Sequence, residues 1–329
     1  DKVVADALAE NNIPYAAYAV TNAKDTIASG SVGFTDLEGK YALSSKAIFR
    51  IASMTKALTS TGFLWLADKE KLDLQMPVEN LLEGFKDLQV AKLIDGKISY
   101  SEPKTKVTFH HLLTHTSGFG YDFHHETLSH LLLNGEIKDL LDKEGKFLES
   151  PLIAEPGEEW HYGMGIGWIG KAIEKLSGSL LNDFMTENIF KPLELSDTSF
   201  DISVLGEDRL PNIYAKGEDD SLTDISGFMA SPQIEEFAYG GGGIFSCPLD
   251  YVKFLRLFLN QGQVNGEEFL PKKVIDEMTI NQIGNLSVPF QPTFNPGIIS
   301  ANEWFPGIEK KWGYGCLLYT SPSPRDGQI

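Results

Sequence analysis

The most constraining feature of this sequence is a serine and a lysine, three positions apart, at the start of a long apolar stretch. The tetrapeptide is Ser53-Met54-Thr55-Lys56, and the residues after it place apolar and small side chains at helical spacing. These are Ala57, Leu58, Thr61, Leu64, Trp65 and Ala67. Side chains three positions apart in a helix lie on one face. The pattern therefore predicts a buried helix that starts near Ser53, ends near Lys69 and Lys71, and holds Ser53 beside Lys56.

The same spacing has a chemical meaning. A serine hydroxyl is a weak nucleophile at neutral pH and needs a neighbouring base to take its proton. A helix N-terminus favours negative charge on a substrate carbonyl oxygen and helps to keep Lys56 neutral. Burial among apolar residues also lowers a lysine pKa, as the role of a base requires. The alternative interpretation is that Ser53 caps the helix and Lys56 lies on the surface. The apolar residues around Lys56 favour the interpretation as nucleophile and base.

The rest of the chain indicates strands near its ends and helices between them. Residues 13–20 and 26–33 are β-leaning runs separated by a polar cluster, which is typical of an antiparallel hairpin. Residues 72–234 mix helical patterns with loops, and the clearest helices are predicted over 165–176 and 180–190. An amphipathic helix is predicted from Pro248 to Asn260. The order favours an antiparallel sheet flanked by helices, with a helical lobe between its two parts.

Composition excludes several classes of partner. The formal net charge of −18 repels phosphate backbones, and no stripe of lysine and arginine reverses it locally. No apolar run reaches the roughly 20 residues that a membrane span needs. Cys247 and Cys316 lie far apart without a CxxC pair, so neither a disulfide scaffold nor a thiolate zinc site is indicated. We expect no nucleic-acid partner and no transmembrane segment, while the compartment and the oligomeric state stay open.

Three motifs that could bind a cofactor or metal have simpler interpretations. Residues 165–170 match GxGxxG, but a loop precedes them instead of a strand, so close helix packing is favoured over dinucleotide binding. Residues 240–243 lack the Gly-Lys-Ser/Thr ending of a phosphate loop, and we expect them to allow positive φ beside a cleft. His111 and His115 have metal-binding spacing, but no glutamate follows His111 as in HExxH. We therefore predict no cofactor and no metal.

Four segments together resemble the class C β-lactamase-like serine hydrolases. They are residues 49–56 (FRIASMTK), residues 112–118 (LLTHTSG), Pro156-Gly157 followed by Tyr162, and residues 241–246 (GGGIFS). They occur in the order that the family shows and span about residues 10 to 315. The family includes β-lactamases, D-alanyl-D-alanine carboxypeptidases and the esterases of lipolytic family VIII.

The resemblance implies an acyl-enzyme on Ser53, with Lys56 as base and Tyr162 as the residue that relays a proton to the leaving group. Tyr162 is also plausible on chemical grounds, because a tyrosine beside a lysine cation can lose its proton below its usual pKa of about 10. A buried core tyrosine is the alternative. The loop-like residues before it, 156–161, favour a position in a cleft.

The sequence departs from the family in two places. β-Lactamases and penicillin-binding proteins carry Tyr-x-Asn where this chain has Tyr162-Gly163-Met164, which resembles the esterase branch. A third element, Lys-Thr-Gly, His-x-Gly or Trp-Gly-Gly, is expected some distance beyond Trp312-Gly313-Tyr314-Gly315 and is not found. The residues from Cys316 have Ser/Pro pairs and no strand alternation. We interpret 316–329 as a non-native tail, with the strand that supplies a second oxyanion N–H missing.

These observations predict an α/β fold of the α+β type, similar to serine β-lactamases and penicillin-binding proteins. We expect one catalytic domain with a sheet lobe of about 1–50 and 235–315 and a helical lobe of about 51–234, and with Ser53 at their boundary. The predicted function is that of a serine hydrolase that acts through an acyl-enzyme, and the favoured activity is that of a carboxylesterase. The alternatives are a β-lactamase or D-alanyl-D-alanine carboxypeptidase, and a non-catalytic binding or sensor protein. The substrate would be a small-molecule ester, a β-lactam or a D-alanyl peptide.

Overall fold

A computed structural model describes residues 1–227, 238–297 and 299–319. The chain forms two compact units, each built from separate stretches of sequence. The first unit comprises Asp1–Ala52, Met185–Glu235 and Gly243–Phe269. The second unit comprises Ser53–Phe184, Glu236–Gly242 and Leu270–Ile329. The two predicted lobes, and the placing of Ser53 at their boundary, stay predictions.

The described residues combine α-helices with short antiparallel strand pairs, which confirms the predicted fold class. The helices are α1 (Lys2–Glu10), α2 (Thr55–Glu70), α3 (Phe109–Thr114), α4 (Glu126–Leu133), α5 (Gly165–Ser177), α6 (Leu181–Met185), α7 (Pro248–Leu259) and α8 (Lys272–Met278). The strands are β1 (Tyr15–Thr21), β2 (Thr26–Gly33), β3 (Phe49–Arg50), β4 (Val90–Ile94), β5 (Lys97–Ser101), β6 (Tyr214–Lys216), β7 (Leu222–Asp224), β8 (Phe245–Ser246), β9 (Gln263–Val264), β10 (Glu267–Glu268), β11 (Lys310–Trp312) and β12 (Leu317–Tyr319). None of the helices in these ranges is long and apolar enough to cross a membrane.

The first unit contains the predicted N-terminal hairpin. Strands β1 and β2 pair antiparallel, and the side chain of Asn22 accepts two backbone N–H groups in the turn between them. Helix α7 packs on β1 and β2, and Arg256 donates to the hydroxyls of Thr21 on β1 (2.7 Å) and Thr26 on β2 (2.6 Å). Strands β3 and β8 form a second antiparallel pair. The hairpin and the helix predicted from Pro248 are both confirmed.

The second unit is centred on α2 and α5, which pack together. A short 3₁₀ turn, Ala52–Met54, precedes α2, and Lys71 ends it in a left-handed conformation. The glycines of α5 allow close packing: a Cβ at Gly165 would lie 2.8 Å from the carbonyl oxygen of Leu112, and one at Gly170 would lie 2.9 Å from the Leu181 side chain. Packing, as expected, explains these glycines. The helix predicted over 180–190 is α6 followed by a π-helical turn over Thr186–Phe190.

The expectation that no strand occurs after Cys316 is wrong for three residues. Strand β12 pairs antiparallel with β11 across a tight turn, in which Gly315 has a φ of 76° and the N–H of Gly313 donates to the Cys316 carbonyl. Leu317 packs against a buried cluster that includes Trp160 and Trp312. Burial of this apolar side chain and a glycine turn outweigh the lack of alternation. Residues 320–329 of the predicted tail lie outside the described residues.

Candidate active site

Ser53 and Lys56 lie one turn apart at the start of α2, as the spacing predicts. Ser53 is in the 3₁₀ turn before the helix and is exposed to solvent, whereas Lys56 is only 2% exposed. The Nζ of Lys56 donates to the Oγ of Ser53 at 3.2 Å. The turn begins at Ala52, whose φ of 44° lies in the left-handed region that is unusual for alanine. An exposed hydroxyl is thus held against a buried amine.

Lys56 has two more partners, and both are uncharged. Its Nζ donates to the hydroxyl of Tyr121 at 3.0 Å and to the carbonyl oxygen of Gly241 at 2.8 Å. It also lies 4.8 Å from the ring centre of Tyr162. Within the described ranges no carboxylate forms an ion pair with Lys56. Burial without a counter-charge lowers the pKa of Lys56 to about 7.

Tyr162 is placed beside both residues of the predicted pair. Burial raises the pKa of its hydroxyl to about 12, and a hydrogen bond with Ser53 opposes the rise only in part. The expectation that a lysine cation lowers this pKa is therefore wrong, because burial of the hydroxyl dominates and raises it. Tyr162 keeps its proton at neutral pH and can donate it.

Sequence reasoning missed two further tyrosines. Tyr121 is 3% exposed and accepts from Lys56, and its hydroxyl shares a 2.6 Å hydrogen bond with that of Tyr239. Burial raises the pKa of both hydroxyls above the ordinary value. Each tyrosine lies close to a segment that the sequence singled out: Tyr121 follows the 112–118 segment by three positions, and Tyr239 directly precedes the 240–243 glycines. That proximity is the signal that could have found them.

The glycine run after Tyr239 provides space, and the expectation of positive φ there is wrong for Gly240 and Gly241. Neither has a positive φ. A Cβ at Gly241 would lie 2.5 Å from the ring of Tyr239, and one at Gly240 would lie 3.1 Å from the side chain of Thr59. Glycine is needed because the backbone passes so close to these side chains. The close approach brings the Gly241 carbonyl to Lys56.

A small cavity opens beside Tyr121 and Tyr162. Its volume is about 130 Å³. It is lined by Gly120, Tyr121, His124, His125, Ile153, Trp160, His161, Tyr162, Pro289, Phe290, Gln291 and Pro292. Three histidines give this wall some polarity, and Ile153 and Phe290 make part of it apolar. A cavity of about this size elsewhere accommodates a group as large as benzene.

The two histidines with metal-binding spacing have other contacts. The ring of His111 accepts the backbone N–H of Thr108 at 3.2 Å and completes the cap of α3. His115 packs against Tyr162 at a ring distance of 4.9 Å. No cluster of three metal-ligating side chains occurs in the part of the chain that the structure describes. His111 therefore has a structural role in the cap of a helix.

Comparisons with known proteins place this geometry in context. The model of a family described as Beta-lactamase matches residues 1–322. Acyltransferase mokF of Monascus pilosus is 32% identical over 307 residues, which cover 82% of this chain and 70% of that protein. Lovastatin esterase of Penicillium rubens is 27% identical over 295 residues, or 82% of this chain and 68% of the esterase.

The solved structures give the same fold. A simvastatin synthase from Aspergillus terreus, the LovD6 mutant, superposes with a TM-score of 0.78 at 25% identity, covering 97% of this chain and 80% of that one. The chain spans between 50% and 70% of the length of the first four curated relatives that it matches.

Proposed function

The chain belongs to the beta-lactamase family, and from that premise we propose that it is a serine esterase whose nucleophile is Ser53 and whose substrates are small carboxylic esters. The hydrogen bond between the Nζ of Lys56 and the Oγ of Ser53 carries the proposal, because the amine is buried and its pKa is lowered to about 7. A neutral amine at this position can take the serine proton.

In the proposed reaction, Ser53 attacks the ester carbonyl while its proton passes to neutral Lys56. The tetrahedral intermediate then collapses, the bond to the leaving alcohol breaks, and acyl-Ser53 remains. Tyr162 donates its proton to the leaving oxygen and receives the proton that Lys56 holds. Its raised pKa supports this role, since the hydroxyl stays protonated until the leaving group needs it. An incoming water or alcohol reverses these steps and releases the acyl group.

The cavity beside Tyr121 and Tyr162 suggests the size of the acyl group. A volume of about 130 Å³ is suited to a short or branched acyl chain. The triplet Tyr162-Gly163-Met164 lacks the asparagine amide that β-lactam-binding relatives use, which favours esters over β-lactams. We assign this cavity to the acyl chain.

The main test compares two substrates on one protein. We expect turnover of p-nitrophenyl butyrate, little turnover of a chromogenic cephalosporin, and labelling by a fluorophosphonate that Ser53→Ala abolishes. Efficient hydrolysis of only the cephalosporin would replace the esterase with a β-lactamase. Failure of the fluorophosphonate to label the wild type would favour a non-catalytic binding protein.

A second test addresses the cavity. Ile153→Ala enlarges it, so the preferred p-nitrophenyl ester should become longer by one or two carbons. Leu131→Ala is the matched control, because Leu131 is buried in the same apolar cluster as Ile153 but does not line the cavity. If the preferred ester length shifts equally in both variants, or does not shift in Ile153→Ala, the acyl chain does not bind in this cavity.

Transfer to an alcohol is the second candidate, and the relatives named as acyltransferases favour it. Water and an alcohol compete for the same acyl-Ser53, so an added alcohol should yield a new ester at the expense of free acid. The product ratio at increasing alcohol concentration measures this preference. A ratio that follows the bulk concentrations of water and alcohol would leave hydrolysis as the function.

A further inference from the structure

His115 is a buried histidine that the proposed chemistry does not use. It follows α3 with a φ of 59° and is 1% exposed. Its ring lies 5.7 Å from that of Trp160 and 5.0 Å from that of Trp312, in addition to its contact with Tyr162. Burying a polar ring opposes folding, and so does holding the backbone of a residue other than glycine in a left-handed conformation. Such a residue needs a compensating role.

The contacts of His115 converge on Tyr162. Its backbone carbonyl accepts the N–H of His161 at 2.9 Å, and its Nδ1 accepts the N–H of Gly163 at 3.3 Å. Its ring packs on the ring of Tyr162 between those two positions, at 4.9 Å and a tilt of 48°. One residue thus holds the backbone on both sides of Tyr162 and contacts the side chain as well.

The hydrogen bond from Gly163 indicates the tautomer of the ring. Because Nδ1 accepts from Gly163, the imidazole is neutral with its proton on Nε2. Burial and the nearby Lys56 both keep the pKa of His115 well below 6.5. A neutral ring whose Nδ1 accepts from the backbone of Gly163 is suited to hold Tyr162 through geometry and not through proton transfer.

We propose that His115 is the positioning residue that holds the Tyr162 hydroxyl where it meets Ser53 and the leaving group. The inference rests on the proposed function, in which Tyr162 protonates the leaving oxygen. Its consequence is specific: a displaced Tyr162 should slow the cleavage of esters with basic leaving groups far more than that of activated esters. p-Nitrophenolate is a weak base and leaves without being protonated, whereas an alkoxide needs a proton in order to leave.

The test measures kcat/KM for p-nitrophenyl butyrate and ethyl butyrate in His115→Ala and His115→Asn. The alanine variant leaves the Gly163 N–H without its acceptor, and we expect a loss of roughly 100-fold with the ethyl ester against less than about tenfold with the nitrophenyl ester. Asparagine tolerates positive φ and offers an oxygen near the place of Nδ1. It should recover most of the ethyl-ester activity.

Two controls separate the possible failures. His110→Ala removes the contact of another, half-buried histidine to Tyr314, and it should lower both activities equally if at all. Tyr162→Phe should show the same selective loss as His115→Ala. If Tyr162→Phe loses mainly ethyl-ester activity but His115→Ala loses activity on both esters equally, the positioning role of His115 is overturned and the role of Tyr162 stands. No selectivity in Tyr162→Phe would overturn the proposed role of Tyr162, and the inference with it.

Discussion

Each of the two units buries a charged side chain, Asp250 in the first and Lys56 in the second, and the two are held in opposite ways. In the first unit, Asp250 is 2% exposed and accepts the backbone N–H of Asp197 (2.6 Å) and the hydroxyl of Thr198 (3.0 Å). It also forms an ion pair with Lys253 at 3.0 Å. In the second unit, Lys56 is equally buried but has only hydroxyls and a carbonyl as partners.

The difference shows which buried charge is structural and which can react. Donors and a cation replace the water that Asp250 loses, so its charge can tie Asp197, Thr198 and Lys253 together. Among the described residues, no opposite charge replaces the water that Lys56 loses, and its pKa falls to about 7. A group that changes protonation near neutral pH is suited to acid–base chemistry, and this one lies against an exposed serine.

Lys56→Met should give the largest effect on activity and little effect on folding. Removal of the base should lower kcat/KM for p-nitrophenyl butyrate by about 10³-fold or more. The folded state releases the lysine proton at about pH 7 instead of 10.5, so the wild type gains stability as the pH rises above 7. The variant should lack that gain in denaturant titrations between pH 6 and 9. A variant that fails to fold at every pH would make Lys56 structural.

Asp250→Ala should lower the stability of the fold and leave the activity nearly unchanged. The change leaves the N–H of Asp197 and the hydroxyl of Thr198 without their acceptor, and we expect the free energy of unfolding to fall by about 3 kcal/mol. The kcat of the folded fraction should stay within twofold of the wild type. Lys253→Ala is the control: this cation is partly exposed, so the loss should be under about 1 kcal/mol. An Asp250→Ala variant that is stable but inactive would show that Asp250 is not a structural charge, and would contradict its contrast with Lys56.

The pH dependence of kcat/KM sharpens the comparison further. Below pH 7 Lys56 is protonated and cannot take the serine proton, so activity should rise with pH through a single step near 7. Tyr162 has a pKa of about 12 and should add no loss of activity below pH 10. The measurement is a profile from pH 5 to 10 with p-nitrophenyl butyrate. A rising step near pH 10 would mean that the lysine is not desolvated in solution.

Spacing predicted the local half of this site and the family resemblance predicted Tyr162, but neither predicted the hydrogen bonds that Lys56 makes to Tyr121 and Gly241. Ser53 and Lys56 lie within one helical turn, so their spacing alone places them together. The partners Tyr121 and Gly241 are 65 and 185 positions away from Lys56, and only packing of the second unit brings them to it. Spacing contains no information about such approaches, and tyrosine is common in apolar cores.

The fold shows the same limit. The N-terminal hairpin and α7 were predictable because periodicity and turn chemistry act over a few residues. Strand β12 was not, because its pairing with β11 depends on the turn at Gly313 to Gly315 and on burial of Leu317 in a cluster formed by other segments. The pKa of Tyr162 was predicted in the wrong direction for the same reason: the sequence shows a neighbouring charge but not the extent of burial.

The smallest expected effect comes from Tyr121→Phe, which tests whether neutral partners tune Lys56. The hydroxyl of Tyr121 accepts from the amine at 3.0 Å and so favours its charged form. Its loss should move the rising step of the pH profile below 7 and reduce maximal kcat/KM several-fold. Tyr239→Phe is the control, because its hydroxyl bonds Tyr121, and its substitution leaves the hydrogen bond from Lys56 to Tyr121 in place. It should shift the step less, and a step that moves upward in Tyr121→Phe would contradict the assignment of that hydroxyl as an acceptor.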